Sequence, residues 1–139
     1  MSTIRVEIVS AEGHIHSGEA SLVIAPARLG EVGITPRHTP MMTSLRPGEV
    51  RLQNEGKEEL FFYVTGGILE VQPTQVTVLA DTALREEQLD EQAAGEARRQ
   101  AEEAVKGAVG KEDLAHAQQQ LIEAAARYRA AQRLKGKRK

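Results

Sequence analysis

The sequence contains no cysteine and no tryptophan, and aromatic residues make up only 3% of it. Without cysteine there is no disulfide framework, no thiolate nucleophile and no Cys-ligated zinc. That usage is compatible with the cytosol. Long apolar runs are missing too: none approaches the roughly 20 residues that a membrane-spanning helix requires. The first residues, Met1-Ser2-Thr3-Ile4-Arg5-Val6-Glu7-Ile8, alternate charge and apolarity, which is unlike a signal peptide. Attachment to a membrane is therefore expected only through partners. Neither charge dominates, the net being −2, so the chain as a whole is no generic polyanion binder. The nucleophile elbow Gly-x-Ser-x-Gly is absent. No acid/base constellation stands out, and no catalysis by this chain alone is expected.

What is present falls into two halves with different patterning. The 139 residues, 40% of them apolar, suffice for one modest domain and an appendage. Residues 1–84 read as strands and turns. Ile4, Val6 and Ile8 alternate with Arg5 and Glu7, the period of a half-buried strand. Leu22–Ala25, Glu49–Gln53, Leu60–Val64, Gly67–Gln72 and Gln75–Leu79 are further short runs, rich in the β-branched and aromatic residues that strands favour. Arg46-Pro47-Gly48 has Pro and Gly where a type II turn wants them. Asn54-Glu55-Gly56 and Pro73-Thr74 read as hairpin connections. Many short strands at this spacing predict an all-β flattened sandwich or barrel.

The pattern changes near Ala83. From Arg85 onward proline is absent and Ala, Glu, Gln and Arg dominate, all good helix formers. Leu89, Ala93, Ala97, Ala101, Ala104 and Val105 form one helical stripe; Leu114, Ala117, Leu121, Ala125, Tyr128 and Ala131 form another. Gly107 and Gly110 separate them. Residues 85–139 are thus expected to form a C-terminal antiparallel α-helical hairpin, with helices near 86–105 and 112–134. Its seam is mostly alanine. One buried methyl stabilises by roughly 0.8 kcal/mol, against about 1.5–3 for a buried Leu or Ile. A hairpin held so weakly is expected to dock reversibly and to open into another arrangement.

Candidate sites are few. His14 and His16 would share one face of a strand, a spacing that can serve a metal, but no carboxylate or third ligand completes a set, so ordinary surface histidines are expected. Gly66-Gly67 precedes a strand rather than a helix N-terminus, so a β-bend is expected and not a phosphate loop. The segment Gly30 to Met42 carries two prolines, two glycines, a histidine and adjacent methionines. It reads either as a rigid loop with a Met-filled core or as a preorganised docking edge, which loses little entropy on binding.

The tail is strongly basic: Arg127, Arg129, Arg133, Lys135, Lys137, Arg138 and Lys139 occur with no acid after Glu123. The first helix is acid-rich instead. Helix-dipole preference explains part of this. The remainder points to nucleic acid, an anionic membrane surface or an acidic protein partner. No aromatic stacking platform accompanies the bases, which weakens the nucleic-acid reading. A freestanding adaptor binding nucleic acid through this tail is the alternative function to be weighed.

Five segments in order carry a resemblance: Val9-Ser10-Ala11-Glu12-Gly13; Gly30-Glu31-Val32-Gly33-Ile34 through His38-Thr39-Pro40; Leu45-Arg46-Pro47-Gly48; Gly66-Gly67-Ile68-Leu69-Glu70-Val71-Gln72-Pro73; and Val76-Thr77-Val78-Leu79-Ala80-Asp81-Thr82-Ala83. Together, in spacing and total length, the chain resembles the epsilon subunit family of bacterial F-type ATP synthases. The resemblance covers the whole chain and is strongest over 1–84.

That resemblance implies a non-catalytic subunit of the rotating central stalk, on the cytoplasmic face of the inner membrane, coupling proton translocation to ATP synthesis. Its implied partners are the gamma subunit, the c-ring and the alpha and beta subunits, with no nucleic acid and no cofactor. On matching positions Ser10, His38 and Thr43 would face gamma and Glu31 the c-ring, which decides the 30–42 segment in favour of docking. The hairpin would hinder ATP hydrolysis when extended, with Arg127, Arg129 and Arg133 meeting an acidic loop of the beta subunit. Some members bind ATP through a Leu/Ile-Asp-x-x-Arg-Ala motif. Here the matching stretch begins Leu89-Asp90 but holds Ala93 at the arginine position, which removes a phosphate or base contact, so tight ATP binding is not expected.

Overall fold

The structure is a computed structural model describing residues 2–85 and 91–137, with side chains through 133. It contains ten strands: β1 (Ile4–Ser10), β2 (Gly13–Ala20), β3 (Leu22–Ala27), β4 (Gly30–Ile34), β5 (Met41–Leu45), β6 (Gly48–Gln53), β7 (Leu60–Val64), β8 (Gly67–Val71), β9 (Gln75–Ala80) and β10 (Ala83–Arg85). Two helices follow, α1 (Glu91–Lys106) and α2 (Lys111–Lys137). The chain divides into two compact units, residues 1–86 and 87–139.

In the first unit the strands run in the order β10-β7-β6-β3-β5-β8-β9-β1-β2, with β4 paired to β3. Strand β3 is the corner. Its Leu22–Ile24 stretch pairs with β6, while Ala27 pairs with Leu45 of β5. One strand thereby serves both layers of the sandwich, as corner strands do. The two ends of the order are brought together by side chains: the Arg85 guanidinium donates to the Ile15 carbonyl, and the His16 ring lies 5.1 Å from that of Phe62. The result is a flattened, nearly closed barrel.

Alternation places the core. Ile4, Val6 and Ile8 are buried and Arg5 is exposed, as the strand period requires. Val23, Val50, Leu52, Val64, Leu69, Val71, Val76 and Val78 complete a core with almost no solvent access. Each such side chain stabilises by about 1.5–3 kcal/mol.

The structure adds strands that the sequence pattern did not show. β2 is polar and β10 spans only Ala83–Arg85. β4 and β5 flank the Pro- and Gly-rich stretch, leaving only residues 35–40 outside strands. The type II turn expected at Arg46-Pro47-Gly48 does not form: Gly48 has no positive φ and begins β6. Glycine is needed there for closeness instead, since a Cβ would sit 3.0 Å from the Pro26 Cβ. Gly67 is the sharper case. Its φ is +134°, and a Cβ would fall 2.1 Å from the Leu79 carbonyl oxygen. The Gly66-Gly67 pair is a bend into β8, as its sequence context implies.

The second unit is an antiparallel helical hairpin. Gly110, at φ +84°, and the Asp113 carboxylate, which accepts a hydrogen bond from the Val109 N–H at 3.0 Å, shape the turn and open α2. One line of enclosed positions runs through Ala94, Arg98, Ala101 and Val105 of α1 and another through Ala117, Leu121, Ala124, Tyr128 and Ala131 of α2, while Ala126 and Ala130, on the opposite side of α2, are buried as well. Both lines follow the 4-3 spacing of a coiled-coil seam. The α1 stripe therefore differs from the expected one: Ala93 and Ala104 are exposed, and Ala94 and Arg98 face inward. Alanine on nearly every face gives a sequence pattern little contrast, so the facing side is decided by packing.

Candidate functional site

The first unit carries an apolar surface on the outer side of β1, β9, β8 and β5. Val9 pairs with Leu79, Leu79 with Ile68, and Ile68 with Ser44, forming one row across four strands. Met42 lies two residues from Ser44 on the same side. Met42 is 66% exposed, Leu79 45% and Ile68 42%. Their strand neighbours Met41, Leu69 and Val78 point into the core, so the period of two forces this row outward. Contiguous exposed apolar side chains on a rigid sheet mark an interaction surface. Sequence reasoning missed this row. The signal was that Ile68, Leu79 and Met42 stand at positions where alternation calls for polar residues.

The residues expected to face gamma lie around this row rather than at one point. Ser10 ends β1, is buried, and its Oγ accepts the Glu12 N–H at 3.2 Å. Thr43 is half-buried in β5, on the inward side with Met41 and Leu45. His38 lies in the connection before β5, with Nδ1 2.7 Å from the Thr39 carbonyl. By register, Ser10 stands near the Leu45 end of the sheet and His38 beyond the Met41 end. Arg37, beside it, holds the one positive φ of a non-glycine residue among those described, +67°, pinned by its N–H to the Pro73 carbonyl at 2.9 Å. Glu31 sits on β4, exposed, and its carboxylate accepts both bonds from the Arg51 guanidinium at 3.2 Å.

The two histidines part company. Ile8 pairs with His16 but Val9 pairs with His14, so Ile15 is an extra residue in a β-bulge. The bulge breaks the alternation that would have put both rings on one face. His14 reaches Glu7, Nε2 to Oε2 2.6 Å, whereas His16 packs on Phe62. A carboxylate does therefore stand beside His14, supplied by strand pairing. Among the described residues no cluster of three or more such side chains is placed to hold a metal ion. Glu7 also accepts from Arg5 and Ser17, and these bonds, that of His14 foremost, hold its carboxyl at about 2. Burial pushes the His16 imidazole below its ordinary value, and the Arg85 charge adds to this.

On α2 the basic residues do not share one face. Arg129 and Arg133 are exposed and lie about 40° apart around the helix, while Arg127 projects on the opposite side. Arg127 is half-buried, and its Nε is enclosed without a hydrogen bond. Leu89 and Asp90 lie outside the described residues. Ala93 is on α1 and exposed, and a methyl group there cannot supply the charge-assisted contact of an arginine.

A β-sandwich followed by a helical hairpin is the domain order of one class of proteins. The family model described as "ATP synthase, Delta/Epsilon chain, beta-sandwich domain" matches residues 3–86, and that described as "ATP synthase, Delta/Epsilon chain, long alpha-helix domain" matches residues 87–132. The chain is 60% identical over 135 residues to the ATP synthase epsilon chain of Alkalilimnicola ehrlichii, covering 97% of this chain and 96% of that one. It is 56% identical over 135 residues to the epsilon chain of Nitrosococcus oceani, with the same coverage. A chain of the Euglena gracilis mitochondrial ATP synthase shares the fold, with a TM-score of 0.80 at 16% identity, over 91% of this chain and 79% of that one. The chain belongs to the ATP synthase epsilon family. No helix among the described residues is long and apolar enough to cross a membrane.

Proposed function

We propose that this chain couples proton translocation to ATP synthesis at the cytoplasmic face of the membrane, with its sandwich gripped between the gamma subunit and the c-ring. The observation that carries the reading is the outward row Val9, Leu79, Ile68 and Met42. Burying these side chains against gamma would supply the apolar centre that stable interfaces are built on. Of the residues expected to face gamma, His38 lies beyond the Met41 end of the row and supplies a polar rim there; Ser10 and Thr43 belong to the same strands but turn inward, so they are not part of that rim. Glu31, on its own strand and ion-paired to Arg51, is the contact toward the polar loops of the c-ring.

The hairpin acts as a brake on ATP hydrolysis. Arg129 and Arg133, exposed on one side of α2, are the part of the tail that would meet an acidic loop of the beta subunit, and Arg127 joins them when its surroundings open. Moving such a brake from mostly disengaged to mostly engaged takes about 5.5 kcal/mol of differential stabilisation, within reach of an alanine seam and partner contacts. With Ala93 in place of arginine, ATP does not hold the hairpin tightly.

Binding of purified gamma tests the sandwich assignment. Ile68→Glu with Leu79→Glu keeps the fold by circular dichroism and weakens gamma binding at least about 100-fold, the scale of losing two central anchors. Unchanged affinity would overturn the assignment. Replacing Arg127, Arg129 and Arg133 by alanine raises ATP hydrolysis of the assembled enzyme while assembly persists. Unchanged hydrolysis, or lost assembly, removes the brake from these residues.

A further inference from the structure

The seam between α1 and α2 repeats itself. Ala94 and Ala101 are seven residues apart on one helix, and Ala117, Ala124 and Ala131 are seven apart on the other. Sliding one helix by a heptad puts alanine against alanine again, so these contacts alone leave several registers nearly equal in energy. Tyr128 breaks the repeat. Its ring lies on Gly95, where a Cβ would come within 3.3 Å of Cε1 and 3.6 Å of Cδ1. The Arg98 guanidinium covers the ring at 4.6 Å from its centroid, and Arg98 is itself held by Glu102 at 3.3 Å. Gln132 donates to the Tyr128 hydroxyl at 3.0 Å.

The geometry points to a register key: Tyr128 seated on Gly95 and clasped by Arg98 selects one alignment of the two helices from those an alanine seam would accept. Glycine in a helix interior lowers helix stability, and an arginine at a seam position gives up apolar packing and hydration of its charge; both are explained by the ring they receive. A heptad slip would set Tyr128 against Glu102, where a side chain fills the notch. One polar position that fixes register at a cost in stability is a known device of coiled coils, and the cation–π contact adds direction to it. The key acts within the hairpin and is independent of the brake proposed above.

Its test uses the full chain, which has no cysteine of its own. Spin labels at Gln100→Cys and Gln120→Cys, both exposed, report the helix alignment by pulsed dipolar spectroscopy. The parent gives one narrow distance. Tyr128→Ala raises a second distance population by at least about tenfold, the scale of losing the ring's burial and its cation–π contact. Tyr128→Phe keeps the single distance. Leu121→Ala removes a smaller apolar side chain from the same seam, lowers the melting point of the helical signal, and still shows one distance. Should Tyr128→Ala lose its helices by circular dichroism, Gly95→Leu is read instead and must produce the second distance. A single distance in Tyr128→Ala with its helices intact, or in Gly95→Leu where that variant is read, overturns the proposal, as does a second distance in Leu121→Ala.

Discussion

The sandwich and the hairpin are built from opposite materials. The sandwich encloses Ile4, Ile8, Leu52, Val64 and Leu69, all with relative exposure near zero, and closes its strand order with a side-chain clasp from β10 to β2. The hairpin encloses Ala94, Ala117 and Ala131, with Tyr128 as its one aromatic side chain among the described residues. Large branched side chains make a unit that resists deformation, because every position is coupled to its neighbours at close-packed density. Alanine lets helices approach but gives each turn little to hold with. One chain thus joins a tightly packed unit to one of lower intrinsic stability, the combination that the proposed coupling and braking roles require.

The contrast can be broken most severely at Gly67. Gly67→Ala places a methyl group 2.1 Å from the Leu79 carbonyl oxygen at a backbone angle that L residues avoid. Its expected effect is a loss of more than about 3 kcal/mol, visible as a collapse of the urea midpoint or as failure to accumulate folded. Next comes a matched pair read by hydrogen exchange in each region. Leu69→Ala in the sandwich core should cost about 2–5 kcal/mol, and Ala131→Gly in the seam about 1 kcal/mol, confined to the helices. Equal losses, or losses shared by both regions, would erase the distinction.

Acid sharpens it further. Glu7 titrates at about 2 in the folded chain against an ordinary value of 4.5. A carboxyl held low contributes stability that is complete above 4.5 and is lost as pH falls toward 2, because the unfolded chain takes up the proton first. His16, also lowered from 6.5, contributes fully above that value, and the contribution declines as pH falls below it. Acid unfolding of the sandwich should therefore be less steep between 4.5 and 2 in Glu7→Gln, while the helical signal does not respond to that substitution. A smaller change is expected at Arg37, whose φ of +67° glycine accepts without strain: Arg37→Gly should stabilise by up to about 1 kcal/mol in a thermal melt. The smallest effect is expected from removing residues 87–139, which should leave the melting temperature of residues 1–86 within about 4 °C.

Much of this was legible beforehand. The alternation of Ile4, Val6 and Ile8, the aromatic run at Phe61 to Tyr63 and the turn at Pro73-Thr74 appear in the structure as read. The switch to helix-forming residues after Ala83 gave the hairpin. What escaped had physical reasons. β2 is a strand because β1 pairs with it, although Gly13, His14, Ser17, Gly18 and Glu19 have no strand preference of their own. Glycine at position 48 answers to Pro26, twenty-two residues away in sequence, and no turn rule contains that contact. The histidines were separated by a bulge, which a simple period cannot show. The apolar row was hidden for a related reason: its members are contiguous only once β1, β5, β8 and β9 lie side by side.

The sequence by itself determined where strands give way to helices, which residues are apolar enough to form a core, and which family the chain resembles, because these depend on local propensity and on the order of short motifs. Only the tertiary structure decided which side chains stand together: Glu31 with Arg51, His14 with Glu7, Tyr128 on Gly95, and Ile68 beside Leu79 in the open. Such meetings are set by strand register and helix alignment. Those in turn follow from how whole faces pack, a property that no single stretch of the chain carries.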